Sequence, residues 1–107
     1  MNDQDSVERH PFVDLDRTIH SPARLMVMTY LYVVDSVDYV YLTHLTGLTW
    51  GNLATHVGKL EEADYVEIKK TFVNKKPYSV IKLTKRGRQA FKSYKSQMKG
   101  VLDDLPD

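Results

Sequence analysis

The chain has 107 residues, enough for one domain with a modest core and too few for two independent ones. It is 42% hydrophobic and 27% charged, an ordinary globular balance, and its lack of cysteine excludes a disulfide framework and thiolate metal sites and fits a reducing, cytoplasmic setting. The formal net charge of +1 conceals an asymmetry: residues 1–68 hold 11 acids and 4 bases, residues 69–99 hold 11 bases and no acid, and residues 100–107 hold 3 acids. One third of the chain is therefore strongly cationic, the footprint expected for a polyanion or for an acidic protein partner.

Residues 1–11 show no periodicity and are expected to form a mobile arm, with residues 12–107 as a single domain. The arm is acidic and no apolar stretch follows it, unlike a secretory signal. Phe12, Val13, Leu15 and Ile19 predict a short helix with one apolar side. Ser21-Pro22 is a helix start signal, Ser as cap and Pro at the first helical position, where its missing N–H costs nothing. The helix Pro22–Val34 is apolar or small nearly all round, which predicts the most buried helix of the fold. Its apolar run, Leu25 to Val34, is half the length of about 20 residues that a bilayer requires, so no membrane span is expected.

Val37-Asp38-Tyr39 reads as a short edge strand, and from about Tyr39 a helix runs through Val40, Leu42 and Leu45 to Gly47, an αL C-cap. Thr49 then caps a helix that extends to about Ala63. In it Leu53, Val57 and Leu60 fall at i, i+4 and i+7 on one stripe. At 100° per residue Gly51, Thr55, Gly58 and Glu62 point away from that stripe, with Asn52 and Lys59 on one flank. This outward face is small, polar and nearly flat. Behind a short helix and a tight turn it suits insertion into a groove, although an ordinary solvated face has the same pattern. Asp64, a residue type that tolerates αL, is placed where the chain leaves the helix.

Tyr65 to Val73 alternates as a strand, Asn74-Lys75-Lys76-Pro77 is a turn, and Tyr78 to Leu83 alternates again, which predicts an antiparallel hairpin with lysines at its tip. Thr84 caps the last helix. There Phe91, Tyr94, Met98, Val101 and Leu105 recur at spacings of 3, 4, 3 and 4, a heptad-like seam among lysines and arginines.

This order is that of a winged helix-turn-helix: α+β, mainly α, with a two-stranded β wing and a long C-terminal dimerisation helix. The residues also resemble a known family. The run from Leu48 to Ile68 is similar to the recognition helix of small MarR/ArsR-like transcriptional regulators, Phe72 to Pro77 to their wing, Leu83-Thr84-Lys85-Arg86-Gly87-Arg88-Gln89-Ala90-Phe91 to the opening of their last helix, and Leu15 to Leu25 to their N-terminal segment. Asp64 stands where that family usually has Gly, and Val57 where it usually has Leu.

The resemblance implies a homodimeric regulator that binds double-stranded DNA. The recognition helix, about 49–63, lies in the major groove and the wing, about 73–78, lies on the flanking minor groove and its phosphates. Two-fold symmetry in turn predicts a pseudo-palindromic operator. Residue chemistry agrees: Asn52 can pair bidentately with adenine, Thr55 can meet a base edge or a thymine methyl, and Lys59 can donate to guanine or phosphate. Thr49, Trp50, Gly51 and His56 complete the DNA-facing set on the helix, and Lys69, Lys75 and Lys76, with Lys70 and Lys82 nearby, are the expected phosphate anchors. Trp50 and His56 lie toward the apolar stripe, so packing and contact both fit them. The expected dimer interface comprises Phe12, Leu15, Ile19, Phe91, Tyr94, Met98, Val101 and Leu105.

No metal or other cofactor is expected, because the four histidines form no i, i+3 or i, i+4 pair and there is no cysteine. No phosphate loop, nucleophile elbow or carboxylate pair points to an enzyme. The competing reading is a winged-helix adaptor whose basic face holds an acidic protein. An effector, if there is one, is an unidentified small molecule. Tyr30, Tyr32, Tyr39 and Tyr41 are read as core or dimer packing in preference to an effector pocket.

Overall fold

A computed structural model describes residues 14–107. Its elements, in order, are α1 (Pro22–Val34), β1 (Ser36–Asp38), α2 (Tyr39–Thr46), α3 (Trp50–Glu62), β2 (Val66–Val73), β3 (Lys76–Leu83) and α4 (Lys85–Asp103). Phe12, Val13 and the expected arm lie outside the described residues. Asp14 is in a 3-10 conformation, but the predicted short helix does not continue over residues 15–20. Asp16 organises a turn there instead: its Oδ1 accepts from the Thr18 and Ile19 N–H groups at 2.9 and 3.2 Å, the local side-chain competition that keeps Asp out of helices. Leu15 and Ile19 from this turn are buried in the core.

α1 begins with Pro22 at its first position, as the dipeptide requires, but Ser21 makes no side-chain cap bond. Asp38, not singled out above, is the true cap of α2, accepting from the Val40 and Tyr41 N–H groups at 2.9 and 3.3 Å. Gly47 ends α2 at φ 73°. Thr49 caps α3 by accepting from the Asn52 N–H at 3.1 Å, and Leu53, Val57 and Leu60 are all buried against the other helices and the sheet. Asp64 leaves α3 in the left-handed region, φ 64°, as expected for its position.

The sheet has three strands in the order β1-β3-β2, all antiparallel. The hairpin turn is tighter than the sequence suggests. Val73 pairs with Lys76, so only Asn74 and Lys75 lie between the strands, both at positive φ as a type I′ turn demands. Lys76 and Pro77 are therefore strand residues. Pro77 is tolerated in β3 because β1 pairs only with Val80, Ile81 and Lys82 and does not reach it. One face of the hairpin, carrying Ile68 and Ile81, closes the core; near the tip both strands project beyond it.

α4 is held at its start. Thr84 Oγ1 accepts from the Gly87 N–H at 2.9 Å and donates to the Asp64 carbonyl at 2.6 Å. Phe91 packs on Tyr32 with ring centroids 5.0 Å apart, and Tyr94 is buried with its hydroxyl 2.7 Å from His20 Nδ1. Past Tyr94, Met98 and Val101 are only half-buried and Leu102 is exposed. At about 1.5 Å per residue this 19-residue helix is roughly 28 Å long.

Candidate nucleic-acid interface

α2, the Gly47 turn and α3 form a helix-turn-helix, and α3 presents Gly51, Asn52, Thr55 and Lys59 to solvent. Each has a reason to be there. The buried stripe fixes the rotation of the helix about its axis, so the residues opposite it are turned outward. Thr55 donates its hydroxyl to the Gly51 carbonyl at 3.1 Å, which leaves its methyl group and a lone pair outward. Thr49, expected to face DNA, has its hydroxyl oxygen engaged as the helix cap.

Trp50 and His56 differ from each other. Trp50 is 59% exposed yet supported on one side: its ring lies 4.3 Å from that of Tyr39, whose hydroxyl donates to the Trp50 carbonyl at 3.2 Å. Packing on Tyr39 thus orients the indole at the mouth of α3 without burying it. His56 is half-buried, and Arg24 Nη1 lies 3.1 Å from its Nδ1. A guanidinium only donates, so Nδ1 accepts and Nε2 carries the ring proton. Burial, then the charges of Arg24 and Lys59, push the imidazole below the usual histidine pKa and keep it neutral at pH 7.

Two grooves flank α3. On the sheet side, Trp50, Ala54, Gly58 and Glu61 face Lys70 and Ser79 across an opening of about 330 Å³. On the α1 side, Lys59, Glu62 and Ala63 face Arg17, Thr18 and Arg24 across one of about 440 Å³. Register separates the expected wing anchors. Lys70, opposite Ser79, is on the face toward α3, whereas Lys69, opposite Val80, is on the other face. Lys75 and Lys76 are together at the tip, as expected, beside an exposed Phe72. Arg17 and Arg24 were not singled out from the sequence because they stand among the acids of the first 68 residues. Their signal is spatial: α1 carries Arg24 to the side of α3.

Of the expected dimer residues, Phe12 lies outside the described residues, and Ile19 has no exposed surface in the single chain, so it serves the chain's own core rather than a partner. Leu15 and Tyr94 are almost as completely enclosed. Leu105 lies beyond the end of α4 and is exposed, so the seam is shorter than the heptad spacing suggests. The four tyrosines do not converge on a pocket. Tyr30 donates to the Leu45 carbonyl at 3.2 Å, Tyr32 packs on α4, Tyr39 packs on Trp50, and Tyr41 is exposed.

A family model for the winged helix DNA-binding domain matches residues 23–102. The chain belongs to that family. This winged helix domain is 37% identical over 78 residues to an uncharacterized protein of Methanocaldococcus jannaschii, covering 73% of this chain and 85% of that one. Its structure superposes on the transcriptional regulator homologue protein of Pyrococcus horikoshii OT3 with a TM-score of 0.83 at 26% identity, over 89% of this chain and 98% of the other. NadR in complex with 4-hydroxyphenylacetate has the same winged helix fold, with a TM-score of 0.69 at 16% identity, over 87% of this chain and 65% of NadR.

Proposed function

We propose that this winged helix domain is a sequence-specific transcriptional regulator that binds a pseudo-palindromic operator as a homodimer. The observation that carries the reading is the outward face of α3: Gly51, Asn52, Thr55 and Lys59 are all exposed on a helix capped by Thr49 and anchored by Leu53, Val57 and Leu60. Asn52 and Thr55 read base edges in the major groove, and Lys59 donates to a base or to a phosphate. The wing tip, with Lys75 and Lys76, lies against the backbone beside the flanking minor groove and positions without specifying sequence. α4 joins two copies through Phe91, Met98 and Val101, whose apolar surface is incompletely covered within one chain. Recognition helices of the two copies then meet half-sites about 34–36 Å apart.

The division into readers and anchors is testable with a panel of duplexes. Asn52→Ala is expected to lose about 1–3 kcal/mol on the preferred operator and little on others, which relaxes sequence preference. Lys76→Ala is expected to weaken every duplex by about the same factor. Indistinguishable effects of the two changes across the panel would overturn the division. Absence of binding by the folded wild type would transfer the basic surface to an acidic protein partner.

The wing supplies a second test. Lys75 occupies the left-handed region, φ 67°, at the turn position where Gly is favoured. A lysine held there costs about 1 kcal/mol relative to Gly. Lys75→Gly is therefore expected to raise the thermal midpoint by roughly 4–8 °C and at the same time to weaken DNA binding. Equal or tighter binding by this variant would remove Lys75 from the interface.

A further inference from the structure

A major groove is bordered by two phosphate strands, and the wing lies on only one side of α3. The groove on the other side, between α1 and α3, is lined by Arg17, Arg24 and Lys59. Arg24 is fixed at two points: Nε donates to the Thr18 carbonyl at 2.6 Å and Nη1 to His56 Nδ1 at 3.1 Å. Those bonds use two of the five guanidinium N–H groups and leave three free of these partners, in a side chain already ordered. His56 touches Arg24, and Asn52 stands four residues before it, one helical turn along the same side of α3, so a base contact by Asn52 brings the adjoining backbone toward Arg24.

We propose that Arg17, Arg24 and Lys59 form a second phosphate site, which grips the DNA strand on the side of the recognition helix opposite the wing. The site rests on the DNA-binding reading and adds to it: α3 is bracketed by cationic elements on both flanks, so its depth and tilt in the groove are set from two sides. Arg24 acts as a preorganised fork, since a planar guanidinium held by Thr18 and His56 loses little further entropy when it meets a phosphate oxygen. Arg17 and Lys59 line the same groove and add their charge to it. Neutral His56 holds Arg24 in place and offers its Nε2–H as a further donor. Glu62 lines the same groove and offsets one of the three positive charges.

The test is fluorescence-anisotropy binding of the full chain to duplex DNA over a range of salt concentrations, for wild type, Arg17→Gln, Arg24→Gln and Glu62→Gln. Circular dichroism melts of the same proteins check folding. Loss of one phosphate contact lowers the slope of log K against log salt by about 0.9 per bound chain. Arg17→Gln and Arg24→Gln are expected to show that reduction on every duplex, whereas Glu62→Gln is expected to bind every duplex more tightly. A purely structural role of Arg24 predicts no gain from Glu62→Gln and no change from exposed Arg17→Gln. If the slopes for Arg17→Gln and Arg24→Gln equal that of wild type while Lys76→Ala lowers it, the second site is overturned and the DNA-binding reading stands. If wild type binds no duplex at low salt, both are overturned.

Discussion

Raising the salt from about 50 to about 200 mM is expected to weaken DNA binding by three to five orders of magnitude, as for proteins with about six to ten phosphate contacts. The number follows from the cations of α3 and the wing. Without Arg17 and Arg24 of the second phosphate site, Lys59 on α3, Lys70 on the sheet face toward α3, and Lys75 and Lys76 at the wing tip amount to four per chain, eight for two copies. Each phosphate neutralised releases condensed counterions, and the entropy of that release is what added salt removes. The formal charge of +1 conceals this, because the acids that balance it lie outside residues 69–99, with Glu61 and Glu62 on α3 the ones beside these lysines. Equilibrium titrations of one duplex at several salt concentrations check it. A slope near zero would mean that the lysines are solvated rather than engaged, and would exclude the phosphate anchoring argued above.

Gly87→Ala is expected to destabilise the fold by about 3 kcal/mol or more, beyond the usual range for a single added methyl group. A Cβ at position 87 would lie 2.1 Å from the Tyr65 carbonyl oxygen and within 3 Å of two further backbone atoms of Tyr65. Nothing there yields readily. The same carbonyl accepts from the Thr84 N–H at 3.0 Å, and the Tyr65 hydroxyl donates to Asp16, so Tyr65 is tied at both ends. Burial and that hydrogen bond, with the Asp16 charge, push the Tyr65 phenol up to about 12, against a smaller opposing effect of Arg86, so the donor is kept protonated through the neutral range. With Tyr65 held, α4 must lift away from the start of β2. The cost should appear as a lower urea midpoint at unchanged m. Gly100→Ala is the control: nothing lies within 4 Å of that position, and Ala favours a helix over Gly by about 1 kcal/mol, so this variant should be more stable than wild type. Equal stability of Gly87→Ala and wild type would show that the close approach of α4 to Tyr65 is absent in solution.

The elements of this fold were legible wherever one local signal decided them. Pro22, Gly47, Thr49 and Thr84 mark helix boundaries through a missing donor, a left-handed cap and two side-chain caps, and all four act as their chemistry predicts. The stripe Leu53, Val57, Leu60 determined which face of α3 is outward, because 3.6-residue periodicity leaves no other rotation that buries all three. From these signals, with the alternation on either side of Asn74 and Lys75, the order of elements of the winged helix follows.

Where competing local forces were close, sequence reasoning missed. Asp16 turned a predicted helix into a turn, and the twist preference of hairpins drew Lys76 and Pro77 out of the loop into β3. Contacts between distant segments were decided by tertiary structure alone. Ile19 is taken up by the core rather than by a partner, Trp50 stands on Tyr39, and Lys69 and Lys70 are sent to opposite faces of the sheet. Arg24 reaches His56, 32 residues away, only because α1 crosses beside α3. Periodicity and capping are properties of neighbours along the chain and can be read there; the meeting of Arg17 and Arg24 with Lys59 depends on how the buried stripes of two helices pack, and exists only once they have.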